Sequence, residues 1–305
     1  MRFALGIVAW IGLLAAALLV GCENAQRGGE APIPRGPVPA YAQVAAAYNA
    51  RVARLERLSA NVSVVVEAPK KSGGALHDQV ESYLQLALPA SVALRMTKVG
   101  EAVFYLGSND TRYWWFDLTG DKSALVGQHS RATPEAVAAF GLPVHPLDLL
   151  ELLAIKPIPD ASAEQATHAG LAWSRDGRSL IMTLPGRWGG QRRFWLDPNS
   201  YEPSRVELLD RAGHTAAAAN LSRYLNVPVA GDTRVHPRMA GLFEVELPLQ
   251  KATAKLELHQ VENPGPAQNA KVFDLDYLLG YYRIKDVTDI DNPPKQRASA
   301  ENADQ

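Results

Sequence analysis

The chain has 305 residues and a formal net charge of -1, with 47% hydrophobic and 21% charged residues. This composition is ordinary for a globular protein, and the near-neutral charge argues against nucleic-acid binding, which needs a basic surface. The single cysteine, Cys22, excludes an internal disulfide and a thiolate-rich metal site.

The segment before Cys22 is predicted to be a signal peptide. Arg2 precedes an uncharged apolar run, and residues 19–22 (LVGC) have the order of a bacterial lipobox. The segment therefore resembles a lipoprotein signal peptide, which implies cleavage before Cys22 and a lipid on its thiol. A thiol is a good nucleophile for lipid transfer, and two or three acyl chains anchor a protein firmly. A transmembrane anchor with an incidental cysteine is the alternative, because the run is almost long enough to span a membrane.

The lipoprotein resemblance also implies a location. Residues 1–21 would be removed, and residues 22–38, rich in Gly and Pro, are predicted to be a lipidated, disordered tether. Glu23 follows the cysteine, whereas an aspartate there favours retention in the inner membrane. We therefore expect a membrane-anchored protein that faces the periplasm, with the outer membrane favoured over the inner one.

Residues 39–286 are predicted to form one α+β domain, followed by a disordered tail over residues 287–305. An amphipathic helix over residues 40–60 is indicated by apolar side chains at three- and four-residue spacing. These side chains are Val44, Tyr48, Val52, Leu55 and Leu58. From residue 61 onward, apolar and polar residues alternate in short runs, which is typical of an antiparallel sheet with one covered face.

Two helices are predicted between the two groups of strands. In the first, Thr133 is the N-cap, Pro134 the first helical residue and Gly141 the end. The second begins near His145, and its first turn contains Asp148. The spacing of these two residues favours a helix start, and a fragment of a functional site is the alternative. The predicted architecture is a large curved antiparallel sheet, a half-open β-barrel, with an N-terminal helix and this central helical insertion as a lid.

No motif indicates an enzyme. The seven histidines are scattered, and the sequence has no zinc-protease motif, nucleophile elbow or phosphate-binding glycine loop. Asp274 and Asp276 alternate with Phe273 and Leu275, which predicts a strand at a sheet edge and not a metal site. We therefore expect no catalytic residue, no metal and no cofactor.

The order of these elements resembles the LolA/LolB family of outer-membrane lipoprotein carriers and receptors. Residues 108–118 (SNDTRYWWFDL) are similar to a stretch of that family in which a polar turn leads into an aromatic strand. A second similarity lies in residues 192–214 and is carried by Asp197, Pro203, Val206, Asp210 and Gly213. The resemblance implies an incomplete β-barrel, closed by helices, whose apolar cavity holds the acyl chains of lipoproteins. The lipobox matches the anchored receptor more than the soluble carrier.

Apolar residues on the inner face of the sheet and lid would line such a cavity, and a closed core is the alternative for each of them. The candidates from the strands are Leu84, Leu86, Leu94, Met96, Phe104, Leu106, Trp114, Phe116, Ile181 and Phe194, and those from the lid are Leu147, Leu150 and Leu153.

Trp188 lies among glycines at a predicted hairpin tip, flanked by Arg187, Arg192 and Arg193. An aromatic tip with arginines is typical of insertion at a membrane interface, with the arginines at lipid headgroups. A tryptophan folded back on its own hairpin is the alternative.

The predicted function is a membrane-anchored lipoprotein that binds acyl chains or another apolar ligand and acts in lipoprotein localisation to the outer membrane. The alternative is a periplasmic scaffold or stress sensor that binds a protein partner without lipid transfer. The predicted partners are the bilayer, through acylated Cys22, and the apolar ligand, with no nucleic acid.

Overall fold

The computed structural model describes residues 36–69, 75–139, 145–232 and 236–292. The signal peptide, the lipid attachment site Cys22, nearly all of the tether, Gly141 and residues 293–305 lie outside the described residues. What was expected of them stays a prediction.

The strands of the described residues form a single open sheet. In chain order they are β1 (Arg57–Pro69), β2 (Ala75–Ala87), β3 (Ser91–Lys98), β4 (Glu101–Ser108), β5 (Arg112–Asp117), β6 (Ser123–Gln128), β7 (Gly170–Trp173), β8 (Leu180–Pro185), β9 (Gln191–Leu196), β10 (Pro203–Leu209), β11 (Thr215–Asn226), β12 (Arg238–Leu247), β13 (Ala252–Glu262) and β14 (Asp286–Asp289). Their order in the sheet is β14-β6-β5-β4-β3-β2-β1-β13-β12-β11-β10-β9-β8-β7.

Neighbouring strands are antiparallel, except that β14 runs parallel to β6. The central strand β1 pairs with β2 on one side and with β13 on the other, which joins the early and late parts of the chain. The α+β class and the open antiparallel sheet are confirmed.

Four helices accompany the sheet within the described residues: α1 (Tyr41–Val52), α2 (Pro134–Ala139), α3 (Pro146–Leu152) and α4 (Leu275–Tyr282). None of them has the length and hydrophobicity of a membrane-spanning segment. The predicted N-terminal helix is too long, because α1 ends at Val52 and Leu58 already belongs to β1. Leu55 and Leu58 are nevertheless buried, since the chain passes directly from the helix into the sheet.

The central helical insertion is confirmed as α2 and α3. Thr133 caps α2, because its Oγ1 accepts a hydrogen bond from the backbone N–H of Ala136 at 3.1 Å. Helix α3 contacts both β4 and β10, which are seven strand spacings apart in the sheet. In a flat sheet these strands would be about 34 Å apart, whereas a helix of this length spans only about 10 Å. The sheet must therefore curl around α3.

The C-terminal region differs from the prediction in two ways. Asp274 does not belong to a strand but is the N-cap of α4, and its Oδ1 accepts a hydrogen bond from Tyr277 N–H at 3.1 Å. This bond satisfies a backbone donor that the first helical turn leaves unpaired. The predicted tail also starts too early, because β14 pairs with β6 over Asp286–Asp289 and Ile290 is buried.

Apolar side chains cover the inner face of the sheet and the part of its outer face formed by β3–β6. The main core lies on the inner face and contains Tyr48 of α1 and Leu150 of α3. A second cluster packs α4 against the outer face of β3–β6, with Tyr105 stacked on Phe116 at a ring-centroid distance of 5.7 Å. Both clusters include residues of β5, so this strand has no exposed face.

The orientation of α3 can be tested with two leucines. Leu150 is fully buried and Leu147 is half-buried, so Leu150→Ala should leave the larger cavity. We expect a loss of about 2–5 kcal/mol in the free energy of unfolding for Leu150→Ala and roughly 1 kcal/mol for Leu147→Ala. Urea unfolding of both variants measures the difference, and equal losses would contradict this orientation.

Candidate ligand cavity

A cavity of about 1100 Å³ lies between α3 and the turn that joins β8 to β9. Its volume is slightly above the range of about 300–1,000 Å³ that is typical of small-molecule sites. Part of the cavity wall is apolar, and the residues that form it come from separate segments of the chain. Its larger aliphatic members are Val137, Ile158, Leu208, Leu209 and Leu249.

Three polar residues of α3 and its N-cap form a row on the cavity wall: His145, Asp148 and Glu151. Residues three apart share one face of a helix, so the chain needs no distortion to place them together. His145 caps the helix, because its Nδ1 accepts a hydrogen bond from Leu147 N–H at 3.1 Å. The predicted helix start at this position is confirmed, and both His145 and Asp148 also line the cavity.

Glu151 is buried and paired with two cations. Its Oε2 accepts a hydrogen bond from Arg192 Nη1, and its Oε1 lies 2.8 Å from Lys156 Nζ. Burial alone would raise the pKa of this carboxyl group, but Arg192 and Lys156 outweigh it and hold the pKa below its usual value. Glu151 is therefore ionised at neutral pH and joins β9 to α3.

Asp148 has a weaker partner. Arg187 Nη2 lies 3.2 Å from Asp148 Oδ1. Burial raises the pKa of Asp148 to about 6, and Arg187 only partly opposes this effect. Unlike Glu151, Asp148 therefore changes its charge close to physiological pH.

Aromatic and imidazole rings pack beside this row. The His145 ring is 4.4 Å from that of Tyr113, 5.3 Å from that of His129 and 5.9 Å from that of Trp188, measured between ring centroids. Burial lowers the pKa of His145 to about 2, so its ring is neutral. The Arg187 guanidinium lies 4.3 Å from the centroid of the Trp188 ring, which places a cation–π contact at the edge of the cavity.

None of the apolar candidates from the sequence lines this cavity. Those buried in the main core are Leu84, Leu86, Leu94, Leu106, Leu150, Leu153 and Phe194, and those half-buried against it are Met96, Phe104 and Leu147. Their positions agree with the alternative that they fill a closed core. A role in lining a ligand cavity stays a prediction for these residues.

Three of these candidates face the other way. Trp114 and Phe116 belong to the cluster on the outer face of the sheet. Ile181 alternates with the buried Leu180 and Met182, which puts its side chain on the opposite face of β8. The expectation that these three residues face inward was wrong.

Residues expected at a membrane interface contribute to the cavity instead. Arg187, Trp188 and Arg192 line it, whereas Arg193 alternates with Arg192 and points to the other face of β9. Trp188 is 39% exposed, and its Nε1 donates a hydrogen bond to Ala132 O at 2.8 Å. The indole thus contacts both the segment before α2 and Arg187 of its own hairpin. Insertion into a membrane stays a prediction.

The sequence predicted only some of the charged residues that line the cavity. The spacing of His145 and Asp148 was a signal, and Glu151 continues it by three more residues. Their cationic partners Arg187 and Arg192 come from a distant hairpin, and no local pattern links them to α3.

No family model and no curated protein matches the sequence. Among solved structures, a LolA superfamily protein from Nitrosomonas europaea is 13% identical with a TM-score of 0.48, and the match covers 78% of this chain and 100% of the other. A DUF1329 family protein from Desulfovibrio piger is 12% identical with a TM-score of 0.46, over 77% of this chain and 98% of the other. Similarity at this level concerns the fold alone.

The raised pKa of Asp148 predicts a pH-dependent stability. The folded state binds this proton more tightly than the unfolded state, whose pKa is near 3.8, so the stabilisation is complete below that pH and is lost as pH rises through about 6. Relative to Asp148→Asn, the wild-type protein should lose about 1–3 kcal/mol of unfolding free energy between pH 4 and pH 7.

Urea unfolding at a series of pH values measures this difference. The matched control is Asp121→Asn, because Asp121 is exposed. A constant difference between the wild-type protein and Asp148→Asn across this range would contradict the burial of an ionisable group at this position.

Proposed function

We propose that this protein is a membrane-tethered binding protein for acyl chains or another apolar ligand, and that the cavity beside α3 is its binding site. The observation that carries the proposal is the wall of this cavity of about 1100 Å³. Aliphatic side chains such as Val137 and Leu208 form one part of it, and charged side chains such as Asp148 and Arg187 form another. Such a wall suits an amphiphile, which has one apolar and one polar end.

The proposed location of the protein follows from the N-terminal lipobox. A lipid on Cys22 would hold the chain on the membrane, and the first described residue, Gly36, is 14 positions further on. At about 3.3 Å per residue, an extended tether would reach roughly 46 Å. Gly36 is fixed to the domain, because its carbonyl accepts a hydrogen bond from Trp173 Nε1 at 3.0 Å. The domain therefore works close to the bilayer, facing the periplasm, with the outer membrane favoured.

Lipoprotein localisation is the physiological role that fits this proposal best. The sequence resemblance to the LolA/LolB family supports it, since the ligands would then be the acyl chains of other lipoproteins. Binding and release of such chains require a cavity near a membrane and no bond-making step.

Filling the cavity should abolish ligand binding. Ala216 of β11 lines the cavity, and Ala216→Trp would place an indole in the space for the ligand. We expect dodecanoate to bind at least about tenfold more weakly to this variant, measured by calorimetry on the lipidated protein in nanodiscs with empty nanodiscs as the blank.

The matched control is Ala172→Trp, on the exposed side of the edge strand β7, which should bind as the wild-type protein does. Unchanged binding to Ala216→Trp would show that the ligand site lies elsewhere. Recovery of a protein partner in crosslinking pulldowns, with no bound lipid, would support the scaffold alternative.

The anchor has its own test. Mass spectrometry of protein purified from native membranes should find a chain that begins at Cys22 and carries acyl groups. Replacing Cys22 with serine should release the protein from the membrane fraction or leave its signal peptide uncleaved. A membrane-free, unmodified protein that retains residues 1–21 would refute the predicted location.

A further inference from the structure

The cavity wall contains a buried donor without an acceptor. His145 is 1% exposed, and its Nδ1 is occupied as an acceptor by the Leu147 backbone N–H. In a neutral imidazole the proton must then be on Nε2. This Nε2 is buried and has no hydrogen-bond partner among the residues that the structure describes. An unpaired buried donor is costly, and so the group favours an acceptor brought by a ligand.

Two arginines that line the same cavity also have buried N–H donors without an acceptor. Nε and Nη2 of Arg187, and Nε of Arg192, are buried and have no hydrogen-bond partner within the described part of the chain. Arg187 Nη2 lies near Asp148 Oδ1, but the two atoms are not aligned for a hydrogen bond. The arginine thus keeps free donor capacity although its charge is partly neutralised. The unpaired groups of His145, Arg187 and Arg192 are therefore N–H donors, and one unpaired acceptor, Oε1 of Gln250, belongs to another lining residue.

Charged side chains of both signs line the cavity. Lys156, Arg187, Arg192 and Arg211 contribute four positive charges, and Glu135, Asp148, Glu151 and Asp210 contribute four negative ones when all are ionised. Of these eight residues, the two with buried and unpaired hydrogen-bonding atoms are the cations Arg187 and Arg192. Arginine N–H groups form their strongest hydrogen bonds with carboxylate and phosphate oxygens.

We propose that the cavity selects amphiphiles with an anionic carboxylate or phosphate headgroup, which accepts hydrogen bonds from His145, Arg187 and Arg192. The inference rests on the proposed function, because the aliphatic part of the cavity must hold the chain of the same ligand. A fatty acid and a phosphate-bearing lipid share this chemistry.

Asp148 is the natural competitor of such a headgroup, because it already faces Arg187. The other groups that face it are Glu151 on its own helix, Lys156 in the following segment and the neutral ring of His145. Since burial raises the pKa of Asp148 to about 6, protonation in mildly acidic conditions removes its charge and leaves Arg187 to the ligand. Binding of an anionic amphiphile should therefore strengthen from pH 8 to pH 5.5.

Probes with one chain and different headgroups test the proposal. We would titrate the lipidated protein in nanodiscs with dodecanoate, dodecyl phosphate, dodecanol and dodecyltrimethylammonium, and with acetate and inorganic phosphate as chainless controls. The two anionic amphiphiles should bind at least about tenfold more tightly than dodecanol, and the cation more weakly still. Whichever of dodecanoate and dodecyl phosphate binds more tightly identifies the source of the headgroup.

Substitutions in the cavity wall test which residues cause the preference for anionic headgroups. Arg187→Gln should remove most of the preference for the anions, measured in each variant as the ratio of the affinity for dodecanoate to the affinity for dodecanol. His145→Asn keeps an N-cap acceptor and removes the imidazole donor, so it should reduce the preference without unfolding α3. Arg193→Gln is the matched control, because Arg193 lies on the other face of β9. Should Arg187→Gln prove unstable, Asp148→Asn with Arg187→Gln removes both charges of the pair together.

Each outcome is decisive. Equal affinity for the four amphiphiles overturns the headgroup inference and leaves the proposed function standing. No binding of any amphiphile overturns both. Inorganic phosphate that binds as tightly as dodecyl phosphate indicates a site for a free anion and overturns the inference as well.

Discussion

Helix α3 touches β4 on one side and β10 on the other, although seven strand spacings separate these strands in the sheet. This contact is the constraint on which the curvature of the sheet depends. It is reinforced by the buried carboxylate of Glu151, which pairs with Arg192 of β9 and with Lys156. Removal of one partner from a buried ion pair leaves an uncompensated charge and typically costs about 3–5 kcal/mol. The ion pair therefore links α3 to β9.

The same helix separates the core from the cavity. Leu150 and Leu152 point into the main core, while Asp148 and Glu151 line the cavity on the other side. The chain after α3 is held by α1, because Tyr48 Oη and Arg51 Nη2 both donate hydrogen bonds to Ala154 O, at 3.0 and 2.7 Å. A short amphipathic helix can thus separate a filled core from an open cavity when contacts hold it on both sides.

Much of the architecture was predictable, because it depends on local patterns. Alternation over residues 61–68 and 254–258 predicted strands that the structure contains, and Thr133 with Pro134 predicted the start of α2. Alternation could not tell which face of the sheet is inner where both faces are covered. In β5 four consecutive residues are buried, so the sequence gives no sign that Trp114 and Phe116 face outward.

The cavity was the least predictable feature. The apolar residues that were expected to line it fill the core or face outward, and the cavity is lined by other aliphatic side chains together with charged ones. Arg187 and Arg192 were singled out by their unusual setting beside Trp188, yet they were assigned to a membrane surface. Their pairing with Asp148 and Glu151 depends on tertiary contacts between segments about 40 residues apart. Short helix α4 was missed because Asp274 resembles a strand residue in an alternating pattern.

The central claim is that an amphiphile binds in the cavity beside α3. The most direct measurement is photo-crosslinking of the protein purified from native membranes with a dodecanoate that carries a diazirine on its chain, followed by mapping of the modified residues by mass spectrometry. The account predicts labels on residues of the aliphatic wall, such as Val137, Ile158 and Leu208, and their loss in the Ala216→Trp variant. Labels confined to the outer surface, for example to the exposed Tyr277 and Tyr281 of α4, would contradict it.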